Sequence, residues 1–229
     1  MIQVKGKVKR RSIAELIGIT SAGDAEIQFD TERVTPKREG KVITLPLANP
    51  RCEEFYPLVG GRQFLYHSSS GQLWFGGTEE KPFLVELNPT ASLDYLGSYL
   101  ADGEEGFFDL LRPRFLKRIE SDLGITAKRQ GDIFALRLTG GWADSELKFF
   151  MRAFEMSVGS PKPQAGNHFV FETRHKLQGE YILIKLGQGT DIALGAGVLM
   201  NPDHTTMRLE DGIYLMQQTA GLMNPKQAD

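Results

Sequence analysis

Short apolar segments recur along the chain, and their spacing predicts a protein rich in β-strands. Residues 25–29 alternate between apolar and polar positions, as a half-buried strand does, and residues 42–45 form a second short strand. Apolar runs at 63–67 and 72–75 flank a loop of serines and glycine, which predicts a hairpin. A further strand is predicted at 83–87.

Helical periodicity is clearest between residues 105 and 124. Pro113 suits the first turn of a helix, and Gly124 is a typical residue just past a helix end. The apolar face predicted for this helix consists of Phe115, Leu116, Ile119 and Leu123. A second helix is predicted to begin at Asp144, and a capping box at Ser12–Glu15 predicts a short helix near the start of the chain.

The last third of the chain is dominated by strands and glycines. Beyond the stiff loop Ser160–Gln164, strands are predicted at 168–173, 181–186, 192–199, 206–209 and 213–218. The whole pattern predicts an α+β fold, a mostly antiparallel β-sheet with two or three packed helices. We divide the chain into a β-rich N-terminal subdomain, residues 1–48, and an α+β domain, residues 49–229, with a glycine-rich C-terminal half.

Composition and charge narrow the class of protein. The 229 residues carry a net charge of −2, so no global field attracts nucleic acid or an anionic membrane. The basic run Lys5–Arg11 fits an edge strand guarded by charge or, alternatively, a phosphate-contacting arm. The single cysteine, Cys52, fits a reducing compartment. No apolar run reaches the length of a membrane span, so we expect a cytoplasmic protein without membrane contact.

Several common catalytic and nucleotide-binding motifs are absent from the sequence. The glycine pairs at 187–189 and 195–197 do not follow a strand and open a helix, as a dinucleotide fingerprint requires. There is no phosphate-binding GxxxxGK[ST] loop, no GxSxG nucleophile elbow, no HExxH and no CxxC. The sequence therefore gives no support for the common nucleotide-binding, serine-hydrolase and zinc-protease classes.

Two histidines in the β-rich region are the best candidates for chemistry. His168 is followed four residues later by Glu172, and His204 follows Asp203 at the end of a turn-like segment. Histidine is the side chain best suited to proton transfer at neutral pH, and a nearby carboxylate can orient it. We expect these four residues to form the catalytic site.

The geometry of a strand limits how these residues can cooperate. On a strand, His168 and Glu172 would be roughly 13 Å apart, too far to share one ion, whereas on a helix they would be neighbours. The β-branched and aromatic residues between them favour the strand. His168 would then pair with His204, as general acid and base or as two ligands of one divalent metal ion, for which no third ligand is identifiable. Alternatively, His168 is hydrogen-bonded within a β core and His204 caps a turn.

Basic and polar residues near these histidines are candidates for substrate binding. Arg129, Gln130 and Asp132 surround Gly131 just before a strand, and Arg174 lies in the β-rich region. The functional interpretation places Asp132 or Arg129 at the rim of a site, where Arg129 or Arg174 would contact an anionic substrate. The alternative is a simple turn, in which Asp132 caps a backbone group and Gly131 takes an unusual φ. His175, between two basic residues, is expected to be a solvated loop residue.

Several short motifs together resemble a group of uncharacterised bacterial and phage α+β proteins. The matching segments are Phe83–Leu87, Leu111–Pro113, Arg129–Phe134 (RQGD followed by an apolar pair), His168 with Glu172, and Asn201–His204 (compare H-P-[ED]-H). The resemblance covers roughly residues 60–218. Asn201 replaces the first histidine of the last motif, which weakens metal binding there. The resemblance draws attention to Gln130, Asp132, His168, Glu172 and His204, and it implies no particular reaction.

Two classes of function fit these features. The first is a hydrolase acting on phosphodiesters, with His168 and His204 as general acid and base or as metal ligands. The second is a non-catalytic binding or assembly module, such as a phage-encoded accessory or structural protein, which would contact a protein partner or further copies of itself. Nucleic-acid binding is a third option, and it predicts a steep dependence of affinity on salt.

Overall fold

The computed structural model describes residues 18–49, 51–145, 152, 163–171, 174–186, 190–202 and 204–219. Within this part of the chain there are fourteen strands in three sheets and three α-helices, and all but one of the strand pairs are antiparallel. The predicted α+β fold is therefore confirmed. Two compact units divide the described residues, one up to Leu111 and one from Arg112 onward.

The first unit contains two four-stranded sheets and two helices. The first sheet has the order β1-β2-β4-β3, with β1 (Ser21–Ala22), β2 (Ala25–Asp30), β3 (Lys37–Glu39) and β4 (Val42–Pro46). The second sheet has the order β5-β6-β7-β8, with β5 (Glu54–Leu58), β6 (Gln63–His67), β7 (Leu73–Thr78) and β8 (Pro82–Glu86). The helices are α1 (Ser92–Asp102) and α2 (Glu104–Leu111).

Two apolar cores stabilise this unit. One packs the second sheet against α1 and α2, with the buried rings of Phe75 and Phe107 in edge-to-face contact at 5.1 Å between centroids. The other joins the two sheets, because Ile43 and Leu45 pack with Phe64 and Tyr66. Burial raises the pKa of Tyr66, whose hydroxyl donates to the Pro46 carbonyl at 2.7 Å. The predicted domain boundary after residue 48 stays a prediction, although residues on both sides of it share this core.

The second unit consists of one helix and a six-stranded antiparallel sheet. The helix is α3 (Arg114–Leu123), and the sheet order is β11-β12-β13-β14-β10-β9. The strands are β9 (Lys128–Gln130), β10 (Ile133–Thr139), β11 (Gln164–Phe169), β12 (Lys176–Leu186), β13 (Thr190–Asn201) and β14 (His204–Gln218). The strand predicted at 168–173 thus begins and ends earlier, and those predicted at 206–209 and 213–218 are parts of β14. The predicted helix at the N-terminus and the apolar stripe of the helix predicted after Asp144 lie outside the described residues.

The helical region predicted at 105–124 is divided in two by Pro113, which precedes α3 with an extended ψ of 132°. Gly124 ends α3 in the left-handed conformation, as predicted. The predicted apolar face was wrong at Leu123, which is 52% exposed. Glu120 is buried instead, and its carboxylate accepts hydrogen bonds from the Ala127 backbone at 2.7 Å and from Arg112 at 3.2 Å.

The two faces of the six-stranded sheet carry separate cores. Ile133 and Ala135 of β10 contribute to one core, while Phe134 and Leu136 contribute to the other, which α3 covers through Leu116. This alternation follows from the pleat of the strand, in which neighbouring side chains point to opposite faces. Among the described residues, no helix has the length and apolar character that a membrane crossing requires.

The sheet must bend along β14, because Gln130 lies near the Gln218 end of that strand and yet donates a hydrogen bond to the carbonyl of Thr205 at its other end. Gly179 and Gly197 face each other across β12 and β13, both with positive φ, at 157° and 133°. The register between β13 and β14 then moves from Gly195 opposite Tyr214 to Gly197 opposite Leu209. Irregularities of this kind increase the twist of a sheet. The bend brings the β9–β10 turn to the β13–β14 turn, where Gln130 donates a hydrogen bond to the Thr205 carbonyl.

Candidate active site

Five polar residues gather where these two turns meet, and we call them the histidine cluster: Asp132, His175, Asn201, His204 and Gln218. Asp132 comes from the β9–β10 turn, and His175 lies immediately before β12. Asn201 ends β13 and is paired with His204, the first residue of β14. Gln218 ends β14 beside the start of β10. The cluster is therefore assembled from four separate segments of the second unit.

A buried carboxylate and a buried imidazole form the centre of the cluster. Asp132 Oδ1 lies 3.1 Å from His175 Nδ1, and the two residues are only 4% and 0% exposed. The other carboxylate oxygen accepts a hydrogen bond of 2.9 Å from Gln218 Nε2, and the Asp132 carbonyl accepts one of 2.6 Å from the Thr219 backbone. Oδ1 of Asp132 makes no hydrogen bond among the described residues, so its approach to His175 Nδ1 is a close electrostatic contact.

The second imidazole lies against the first. The rings of His175 and His204 are nearly parallel, with an angle of 13° and centroids 5.6 Å apart. Asn201 Nδ2 lies 3.3 Å from Nδ1 and 3.5 Å from Nε2 of His175, so the amide packs on the ring instead of pointing at one nitrogen. His204 is half-buried, whereas His175 is fully buried. Of the two imidazoles, only that of His204 is in reach of a molecule in solvent.

Gly131 makes room for the His204 ring. Its φ is +53°, a left-handed conformation that glycine adopts at little cost. A Cβ atom at this position would lie 2.4 Å from His204 Nε2, 2.9 Å from Cδ2 and 3.1 Å from Cε1. The unusual φ predicted for Gly131 is confirmed, and the contact explains why a side chain at this turn is incompatible with the present position of His204.

The predicted site residues are distributed differently from the expectation. His168 lies on β11, its ring is 4.6 Å from that of Tyr181, and its Nε2 has no hydrogen-bond partner among the described residues. No described contact brings His168 to His204, so a shared catalytic or metal role for the two stays a prediction. Glu172 and Asp203 lie outside the described residues. In the part of the chain that the structure describes, no group of three His, Cys, Asp or Glu side chains is arranged to hold a metal.

The predicted substrate-binding residues divide into interior and surface positions. Gln130 and Asp132 are buried, at 5% and 4% exposure, so Asp132 does not lie at an open rim, while the substrate-binding role of both residues stays a prediction. Arg129 is exposed; its Nε donates to the Gly131 carbonyl at 2.7 Å, and its guanidinium lies 5.7 Å from the centre of the Phe134 ring. Arg174 is half-buried and directly precedes His175.

His175 is the functional candidate that sequence reasoning missed. Its flanking residues, Arg174 and Lys176, suggested a solvated loop, and that expectation is wrong because the side chain has no exposed surface. One feature of the sequence points to burial: on a strand, His175 shares a face with Leu177, which is also fully buried. The Val170 backbone donates to the His175 carbonyl at 3.0 Å, which extends the β11–β12 pairing to this residue.

A second polar group on the same sheet, formed by Lys128, Asp211 and Tyr214, stabilises the fold. The Tyr214 hydroxyl donates to the Asp211 carboxylate and accepts a hydrogen bond of 3.1 Å from Lys128 Nζ. The hydrogen bond from Tyr214 lowers the pKa of Asp211. Burial is the main cause that raises the pKa of Tyr214, and the hydrogen bond to Asp211 raises it further. Asp211 also receives two hydrogen bonds at its carbonyl from Arg137. These contacts stabilise the irregular part of β14.

Comparison with protein-family models, with curated proteins and with solved structures gave no match to this chain. The resemblance suggested by its short motifs therefore stays a prediction, and the function has to be argued from the histidine cluster itself.

Proposed function

We propose that the protein is a hydrolase of phosphodiesters in which His204 exchanges protons with the reacting groups. In this proposal, the buried residues His175 and Asp132 support the His204 imidazole. The observation that carries this proposal is the sequence of contacts from a buried carboxylate to a buried imidazole and then to a half-buried imidazole. A carboxylate that orients one imidazole is a recurrent device for general acid–base catalysis.

The burial of the three groups suggests separate roles for them. His204 would take a proton from water as the water oxygen attacks phosphorus, and the departing alkoxide would then recover a proton from the imidazolium. His175, with no exposed surface, supports the His204 ring and does not contact substrate. The negative charge of Asp132 offsets the positive charge that develops on the imidazoles, an effect that is strengthened away from water.

The substrate class follows from the charges beside the cluster. Arg129 and Arg174 each lie next to a segment that supplies a cluster residue, and guanidinium groups are well suited to bind phosphate oxygens. We propose that these arginines, already among the predicted substrate-binding residues, contact the phosphodiester. A divalent metal ion and a catalytic contribution from His168 remain part of the wider hypothesis and are not required by this arrangement. We also propose a cytoplasmic location.

Replacement of His204 by alanine is expected to reduce hydrolysis of bis(4-nitrophenyl) phosphate by about 10²–10⁴-fold, since the group that transfers the proton is lost. The measurement is release of 4-nitrophenolate by the purified full chain. His67→Ala is the matched control, because His67 lies in the first unit, 3.4 Å from Glu54, and outside the cluster. Hydrolysis that survives in His204→Ala, or an inactive unmodified protein across a panel of phosphodiesters, contradicts the proposal.

The second candidate is a non-catalytic binding or assembly module. It is favoured by the complete burial of His175, because a polar cluster that only fixes two turns would also be buried and paired. Such a module would contact a protein partner or a second copy of the chain, and the nucleic-acid alternative would show affinity that falls steeply with salt. Under this proposal, His204→Ala lowers stability while the unmodified protein shows no turnover.

A further inference from the structure

We infer that Gln130 and Gly131 are positioning residues that hold the His204 imidazole against His175. The catalytic consequence of this inference rests on the proposed function, whereas its structural part does not. The two residues are adjacent in the β9–β10 turn and contact two different parts of the chain around His204: the Thr205 carbonyl and the imidazole ring itself.

Gln130 fixes the backbone next to His204. Its side chain is 5% exposed, and its Nε2 donates a hydrogen bond to the Thr205 carbonyl across the junction of the two turns. Burying an amide is unfavourable unless it is hydrogen-bonded, so this bond favours one relative position of the two turns. Because Thr205 directly follows His204 on β14, a hydrogen bond to the Thr205 carbonyl restrains the backbone one residue beyond the His204 side chain.

Gly131 limits how far the His204 imidazole can extend toward the β9–β10 turn. The Cα atom of this residue faces the ring so closely that a Cβ would meet three ring atoms of His204 at 2.4–3.1 Å. The ring of His175 is a second close neighbour, with centroids 5.6 Å apart. The imidazole of His204 therefore has both the Gly131 backbone and the His175 ring beside it.

The same turn also fixes His175. Asp132, the next residue after Gly131, places its carboxylate 3.1 Å from His175 Nδ1. The Gly131 carbonyl is in turn held by Arg129 Nε at 2.7 Å, which stabilises the turn conformation. Consecutive residues of one turn thus control both imidazoles, and a change in the turn is expected to move one ring relative to the other.

Histidine-selective ¹H–¹⁵N NMR of Gly131→Ala tests the structural part of the inference. The variant is expected to shift the ring resonances of both His204 and His175, because displacement of one ring alters the stacking of the pair. Gly124→Ala is the matched control: its φ of +65° is equally left-handed, but a Cβ there meets nothing within 4 Å. Ring resonances of His204 that stay unchanged in Gly131→Ala overturn the inference.

Gln130→Met tests the hydrogen bond between Gln130 and Thr205, and it tests the inference independently if Gly131→Ala does not fold. Methionine keeps the length of the side chain but cannot donate to the Thr205 carbonyl. We expect shifted His204 ring resonances and, if the hydrolase proposal holds, a kcat for bis(4-nitrophenyl) phosphate reduced by about 10²-fold with little change in KM, as for a misplaced catalytic group.

Unchanged resonances together with unchanged kcat reject the positioning role while leaving the hydrolase proposal intact. Shifted resonances in a protein without turnover leave the positioning role standing and reject the hydrolase.

Discussion

Replacement of Asp132 by alanine is expected to lower the free energy of unfolding of the second unit by about 1–3 kcal/mol, because buried polar partners are left unsatisfied. Asp132 is 4% exposed and its carboxylate contacts His175 at 3.1 Å and Gln218 at 2.9 Å. The substitution removes both contacts at once. His175, which has no exposed surface, cannot recover the lost interaction with water.

The measurement is urea-induced unfolding followed by tryptophan fluorescence. Each compact unit contains one of the two tryptophans, Trp74 or Trp142, so a Trp74→Phe background reports on the second unit alone. Asp122→Ala is the matched control in the same unit, because Asp122 is 63% exposed in its ion pair with Arg118 and such pairs contribute at most about 1 kcal/mol. If Asp132→Ala costs no more than this control, the carboxylate is not the stabilising centre of the cluster.

Strands were the part of the fold that the sequence predicted best. Residues 25–29 fall within β2, where alternating burial leaves a period of two in the sequence. Residues 42–45 and 63–67 fall within β4 and β6, which the sequence shows as short apolar runs. Helix α1 was not predicted, although Ser92, Tyr95, Leu96 and Tyr99 form its buried stripe. Gly97 in its middle and the exposed Leu93 and Leu100 obscure that stripe, and tertiary packing overrides both.

The candidate site could be predicted only in part. Asp132 and His204 were both proposed, and the structure brings the turns that carry them together. His168 was proposed as the partner of His204, and that pairing stays a prediction; the imidazole that the structure shows beside His204 is that of His175. The register of β11, β12 and β13 decides whether residue 168 or residue 175 faces the β13–β14 turn. This register pairs Lys176 with Met200 and therefore places His175 next to Asn201. Strand register depends on long-range pairing, which a local pattern does not contain.

Gly197→Ala is expected to cause the second large effect, a loss of about 4 kcal/mol from the free energy of unfolding of the second unit, from combined backbone strain and overpacking. Gly197 has φ of +133°, and a Cβ there would lie 2.2 Å from the Gln178 carbonyl oxygen and 2.9 Å from Gly179 Cα. These atoms are backbone of the neighbouring strand, so no side-chain rotation can relieve the clash. β12 and β13 must therefore separate at this point.

The same fluorescence experiment measures this loss, with Gly141→Ala as the control, since a Cβ at Gly141 meets nothing within 4 Å. Gly197 lies on β13, the strand that ends at Asn201 beside His204, so a separation of β12 and β13 is expected to reach the histidine cluster. Gly197→Ala is therefore expected to shift the His204 ring resonances even in conditions where the second unit remains folded. A stable Gly197→Ala variant with unchanged His204 resonances would show that the close approach of β12 and β13 is not what assembles the histidine cluster. A stable variant with altered resonances would mean that the strands can separate without unfolding and that the geometry of the cluster still depends on their close approach.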